Sequence, residues 1–369
     1  MAGSEAGPST GAEAVTVEPL PNHRFDEAAL ARWLSEVLPE AGQGVQVRQF
    51  QGGMSNPTFL LTLPSGRRYV LRKKPPGVLL SKAHAIDREY RVMQALDGAG
   101  FPVPRMVAYC ADSAVIGSDF FVMDHVAGRI VPPAAMGPVA RADRPALAYA
   151  LVDTLAQLHR VDWRAAGLEG FGRPEGYLAR QTARWAAQCE AAKSDLPADL
   201  DYSAMDWLRD WLTENGGVAD ESAVAHGDFR LGNMVVHPTE PRILAVLDWE
   251  LSTIGHPLAD LSYLCLHYRL PRDLPGVRDP VVAGLPTEAQ MLARYCARTG
   301  RDRVENWPVF LAFAFFRSAA IMQGVAARAA AGNVSTASAD AERDAWRARR
   351  IAEAGAEIAR AMDGAVPSV

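Results

Sequence analysis

Residues 226–261 read HGDFRLGNMVVHPTEPRILAVLDWELSTIGHPLADL, and this stretch restricts the fold more tightly than any other. Asp228 precedes Asn233 by five positions, and Asp248 follows Asn233 by fifteen. Met234, Val235 and Val236 form a short apolar run, and residues 243–247 form a second. The turn between them carries Pro238 and Pro241, so the segment is expected to fold as a β-hairpin. Pairing the two runs returns Asn233 and Asp248 to the same end, where an amide oxygen and a carboxylate can reach one cation. A lone Asp-x-x-x-x-Asn arises often by chance. Chance does not easily supply the His-Gly-Asp before it, the Leu-Asp-Trp-Glu after it, and a hairpin that joins them.

That arrangement meets the needs of phosphoryl transfer from a nucleotide. One carboxylate, Asp228, orients and deprotonates an attacking hydroxyl. The Asn233 oxygen and the Asp248 carboxylate hold magnesium against the phosphates. Further motifs lie upstream: GGMSNPTFLL, YVLRKKPPG, REYRVMQAL and FFVMDHVAGR. Together with HGDFRLGN and LDWELSTIGHPLADL they resemble the aminoglycoside phosphotransferase and choline kinase superfamily over about residues 25–330. More narrowly, they are similar to the kinase domain fused to some acyl-CoA dehydrogenases.

The resemblance implies a bilobal, protein-kinase-like α+β fold, with a small antiparallel-sheet N-lobe and a larger, mainly helical C-lobe. The expected divisions are a flexible tail over residues 1–22, an N-lobe over 23–125 and a C-lobe over 126–369. It implies ATP and Mg2+ as cofactors and a small-molecule acceptor as partner. In the N-lobe, Gly53, Ser55 and Asn56 lie in a turn between two β-rich runs. Glycine lets backbone N–H groups approach phosphate there, and Ser55 or Asn56 can add a donor. The resemblance implies that many relatives carry a phosphate-holding lysine on the third strand, while choline kinases also tolerate arginine there; here Arg72 takes that position. Side chains alternate along a strand, so Lys73 points away from Arg72 and is expected, with Lys74, at a solvated basic strand end. Glu89, within a helix expected over residues 83–95, would pair with Arg72. Asp124 and Val126 lie in the connector whose backbone receives the adenine edge. Arg230, two positions after Asp228, is expected to meet phosphate oxygens. Glu250 is open between a metal or acceptor contact and a structural role. Asp260 and His226 are expected to organise the loop, with Asp260 bonded to its backbone, and His159 closes a leucine-striped helix.

Composition excludes several classes. The formal charge of −5 argues against a nucleic-acid binder. The four cysteines are too widely spaced for a metal site or a disulfide framework, as suits reduced thiols in the cytoplasm. The start of the chain lacks the basic and apolar segments of a signal peptide. The best apolar run, residues 309–316, is expected to stop at Arg317, so no membrane partner is anticipated. A final helix over residues 341–362 would dock on the large lobe or on a second copy, which leaves a homodimer open. Arg301, Arg303, Arg317 and Arg328 stand beside few acidic residues, which suits a neutral or anionic acceptor. The resemblance points to a hydroxyacyl-CoA thioester. An aminoglycoside-type antibiotic kinase, a nucleotide-binding pseudokinase and an acyl-CoA-binding regulatory partner are the rivals.

Overall fold

The computed structural model describes residues 15–51, 56–75, 86–131, 139–277, 279–332 and 340–363. In chain order the strands are β1 (Thr16–Val17), β2 (Gln46–Phe50), β3 (Thr58–Thr62), β4 (Arg68–Lys73), β5 (Met106–Cys110), β6 (Phe120–Asp124), β7 (Ala223–Ala225), β8 (Met234–Val236), β9 (Ile243–Val246) and β10 (Thr253–Gly255). The helices are α1 (Glu27–Leu34), α2 (Ile86–Gly98), α3 (Ser113–Ile116), α4 (Arg144–His159), α5 (Tyr177–Lys193), α6 (Ser203–Asn215), α7 (Pro257–Cys265), α8 (Pro280–Ala283), α9 (Glu288–Thr299), α10 (Trp307–Ala330) and α11 (Ala341–Asp363).

These elements form two compact units. The first comprises Met1–Asp143, Val161–Glu169 and Leu231–Ser252; the second comprises Arg144–Arg160, Gly170–Arg230 and Thr253–Val369. The division follows contacts rather than one cut near residue 125, because the β8–β9 hairpin packs within the first unit. There the connector after β6 pairs with β8: Arg129 N–H donates to Val236 O at 2.8 Å, and Val236 N–H returns the bond at 2.9 Å. Gly128 permits this approach, since a Cβ there would lie 2.5 Å from Val235 Cγ1 and 2.6 Å from Val236 O.

The first unit is built on a six-stranded antiparallel sheet of order β1-β2-β3-β4-β6-β5. Alternation drives it: Phe59 and Leu61 of β3 are buried and their neighbours are half-exposed. One face packs on α1 through Leu30 and Leu34, with Phe25 edge-on to Phe59 and Trp33 edge-on to Phe120. Asp26 caps α1 by accepting from Ala29 N–H at 2.9 Å, but the helix ends at Leu34, short of the Leu38 its apolar spacing suggests. Of the expected tail, residues 1–14 lie outside the described residues, while Thr16 and Val17 pair with Phe50 and Gln49 as β1. The strand-end reading fails for Lys73, which is buried with its ammonium over the Phe25 ring, because the face away from Arg72 is the α1 core and not solvent. Lys74 pairs with Asp119.

The second unit is helical apart from the β7–β10 pair. Its central helix is α10, which does not stop at Arg317. By length and composition it could cross a membrane, yet it is mostly buried within the unit. Arg317 is tolerated because it donates to Gly227 O and lies over the Trp185 and Tyr263 rings. The final helix, α11, packs on α10 and α6. All four cysteines are buried and free.

Candidate active site

A cavity of about 470 Å³ lies within the first unit. Leu60, Val70, Met93 and Met123 give it apolar walls, and Asp124, His125 and Val126 of the connector form one rim. Arg72, Glu89, Asn233 and Asp248 converge at its polar end. The hairpin delivers two of these as its sequence suggests. Met234 pairs with Val246, and Leu247 N–H donates to Asn233 O at 2.8 Å, so Asn233 and Asp248 emerge at the same end. Asp248 has φ +68°, uncommon for a non-glycine residue, as the chain turns into a short 3-10 helix. Trp249 anchors that turn: it is buried, edge-on to Phe101, and donates to Val246 O at 3.0 Å.

Arg72 is the charge centre of this end. Its Nε is 3.1 Å from Glu89 Oε2, and its Nη2 is 2.9 Å from Asp248 Oδ1 and 3.5 Å from Glu250 Oε2. Burial opposes the guanidinium charge, but the three carboxylates outweigh it and hold its pKa above the ordinary value. Glu89 is almost fully buried. Burial first, and then repulsion from Asp248 and Glu250, push its carboxyl up to about 7, against the pull of Arg72 and a hydrogen bond from the Trp249 backbone. The helix carrying Glu89 is held in place by Arg91, which donates to Gly167 O at 2.9 Å and Glu169 O at 2.8 Å.

Asn56 lines the same cavity with both side-chain amide atoms buried and no hydrogen-bond partner among the described residues. Gly53 and Ser55 lie outside the described residues. The Asp124 side chain pairs with Arg105, at 2.9 and 3.3 Å.

Asp228 and Arg230 stand in the second unit, and the chain enters the first unit at Leu231. The loop is clamped by α7, which opens at Pro257 with His256 as its N-cap. Asp260 accepts from His226 N–H at 2.6 Å and Gly227 N–H at 3.0 Å. Burial works against the Asp260 charge, but His159, His226 and Arg317 outweigh it and keep its carboxyl below the usual range. Gly227 has φ +84°, a backbone conformation that glycine adopts without strain. Asp228 N–H donates to His226 Nδ1 at 3.1 Å. Arg230 Nε donates to Asp228 Oδ2 at 2.9 Å, and the Tyr263 hydroxyl donates to Oδ1 at 2.7 Å.

Sequence reasoning missed Tyr263 and the inward role of Arg317. The available signal was that Tyr263 follows Asp260 by three, which places both on one helix face. His159 ends α4 as expected but its side chain is buried, 3.8 Å from Asp260 Oδ2 and 2.8 Å from the Tyr295 hydroxyl. The arginine pattern that favoured a neutral or anionic acceptor does not survive as stated. Arg301 is paired with Glu221, Arg303 with Glu305 at 3.0 Å, and Arg317 is buried.

Residues 46–313 match the model of the phosphotransferase enzyme family. A rat protein named acyl-CoA dehydrogenase family member 11 is 44% identical over 95% of this chain, which spans 45% of that relative's length. A solved structure from Ralstonia eutropha, provisionally assigned as an aminoglycoside phosphotransferase, is 40% identical, covers 92% of this chain and 99% of its own, and superposes with a TM-score of 0.81. Choline kinase from Cryptosporidium parvum, at 14% identity, shares the fold alone, with a TM-score of 0.63 over 92% of this chain and 97% of its own. The expected bilobal, protein-kinase-like α+β class is therefore the class of this fold.

Proposed function

Since the chain belongs to the phosphotransferase enzyme family, we propose that it transfers the γ-phosphoryl group of ATP to a hydroxyl of a small metabolite. One observation carries the reading: three carboxylates, Glu89, Asp248 and Glu250, crowd the Arg72 guanidinium at the polar end of the cavity. Oxygen donors gathered at this end fit a divalent cation and the phosphates it accompanies, while burial first, and then repulsion from Asp248 and Glu250, raises the Glu89 carboxyl. Asn233 and Asp248 would hold the cation, an oxygen-donor set of the kind magnesium takes when phosphates complete its shell. Magnesium, when bound, screens the phosphate charges and favours their alignment.

Arg72 supplies fixed positive charge, and Glu89 keeps it extended along the cavity. Asn56, just before β3, offers a side-chain amide with no partner among the described residues. The connector backbone at residues 124–126 offers the edge on which adenine rests. Asp228 takes the acceptor proton as the phosphoryl group moves, and Arg230 lies beside it to meet phosphate oxygens.

For the acceptor, the reading is a hydroxyacyl-CoA thioester. It rests on the 44% identity to a protein named for acyl-CoA dehydrogenase, of which this chain spans under half. The test presents purified protein and MgATP with kanamycin, choline, homoserine and a 4-hydroxyacyl-CoA at matched concentrations. Turnover of the thioester alone is expected. Efficient turnover of kanamycin without it would assign the chain to antibiotic phosphorylation, and no transfer from ATP to any acceptor would leave a nucleotide-binding scaffold. Asp228→Ala should abolish transfer while MgATP binding persists.

A further inference from the structure

We propose that Tyr263 is the positioning residue that fixes the Asp228 carboxylate in one orientation, an inference that rests on the reading of Asp228 as the base. The Tyr263 hydroxyl donates to Asp228 Oδ1 at 2.7 Å, and Arg230 Nε donates to Oδ2 at 2.9 Å. A carboxylate torsion has a broad energy well and does not hold its own angle. Two donors, one on each oxygen, set that angle, and a carboxylate oxygen has more than one lone pair with which to accept.

Tyr263 is itself held from two sides. On α7 it shares a face with Asp260, whose two oxygens bind the N–H groups of His226 and Gly227. One helix face thus grips the loop twice, at its backbone before Asp228 and at the Asp228 carboxylate. From α10, the buried Arg317 guanidinium lies 5.0 Å over the Tyr263 ring and 5.6 Å over the Trp185 ring, and donates to Gly227 O. A cation between two aromatic faces favours one ring position. Burial, and then the Asp228 charge, raise the pKa of the Tyr263 hydroxyl, so it stays a donor.

Tyr263→Phe isolates the donor, because it keeps the ring that Arg317 covers. With the acceptor that the wild type turns over fastest, kcat should fall about tenfold, the scale of one lost hydrogen bond to a charged group. KM for MgATP and Tm should stay unchanged. A crystal structure of the variant should show the Asp228 carboxylate rotated, or split between two orientations. An unmoved carboxylate with unchanged kcat overturns the proposal. So does a lower Tm with raised KM for MgATP, which marks a tyrosine that only supports the fold. If the wild type phosphorylates no acceptor, the kinase reading fails, and the carboxylate position in Tyr263→Phe still decides this inference.

Discussion

Arg72 Nη2 lies 2.9 Å from Asp248 Oδ1 although 176 positions of sequence separate them. The same guanidinium meets Glu89 through Nε, so one side chain ties β4, α2 and the end of the β8–β9 hairpin together. A lysine at this position, a point charge, could not bridge two carboxylates with the same planar fork.

Arg72→Lys should therefore keep part of the activity and Arg72→Met should lose far more. The expected losses in kcat/KM are about tenfold for lysine and about a hundredfold for methionine, the scale of removing a preorganised charge from a phosphate site. Equal rates in all three proteins would place Arg72 outside that site.

Asp248→Ala should weaken MgATP binding by about tenfold or more, near 1.4 kcal/mol. The carboxylate repels phosphate unless a cation lies between them, so binding of ATP in EDTA, measured in a parallel titration, should not weaken. Calorimetry showing unchanged MgATP affinity would remove Asp248 from the metal site.

Glu89 gives the protein a defined pH dependence when nucleotide and divalent metal are absent. Its carboxyl rises from the ordinary 4.5 to about 7 in the folded chain, so folding favours the protonated form. The stability this contributes is fully present below the unfolded value and is lost as pH rises through the folded one. The unfolding free energy of the wild type relative to Glu89→Gln should thus fall between pH 5 and pH 8, by roughly 3 kcal/mol at most, and its relative Tm should fall with it. A Tm difference that grows with pH would mean that the Arg72 pairing outweighs burial.

Gly128→Ala should destabilise the first unit by about 1–3 kcal/mol. Its new methyl would meet Val235 Cγ1 at 2.5 Å and Val236 O at 2.6 Å, and a backbone carbonyl engaged with Arg129 cannot yield easily. Gly98→Ala, which faces open space at the end of α2, is the control and should leave Tm level or raise it. A thermal melt in which both variants match the wild type would show that the connector has room to shift.

Local order was legible in the sequence wherever one periodicity or one turn set the outcome. The β8–β9 hairpin followed from two apolar runs and two prolines, and it alone brought Asn233 to Asp248. Strand alternation likewise put Arg72 and Lys73 on opposite faces. What lies beyond each face is a long-range fact, and only the tertiary structure decided it. Lys73 turned out to be buried because α1 covers that side of the sheet. Arg317, which reads as the end of an apolar run, became the buried cation against Gly227 O because α10 passes beside the loop. Tyr263 reached Asp228 across 35 positions through a helix whose register no local pattern ties to the loop. Spacing along a chain fixes which groups share an element, but the partner of each group depends on packing between elements, where burial and charge are settled together.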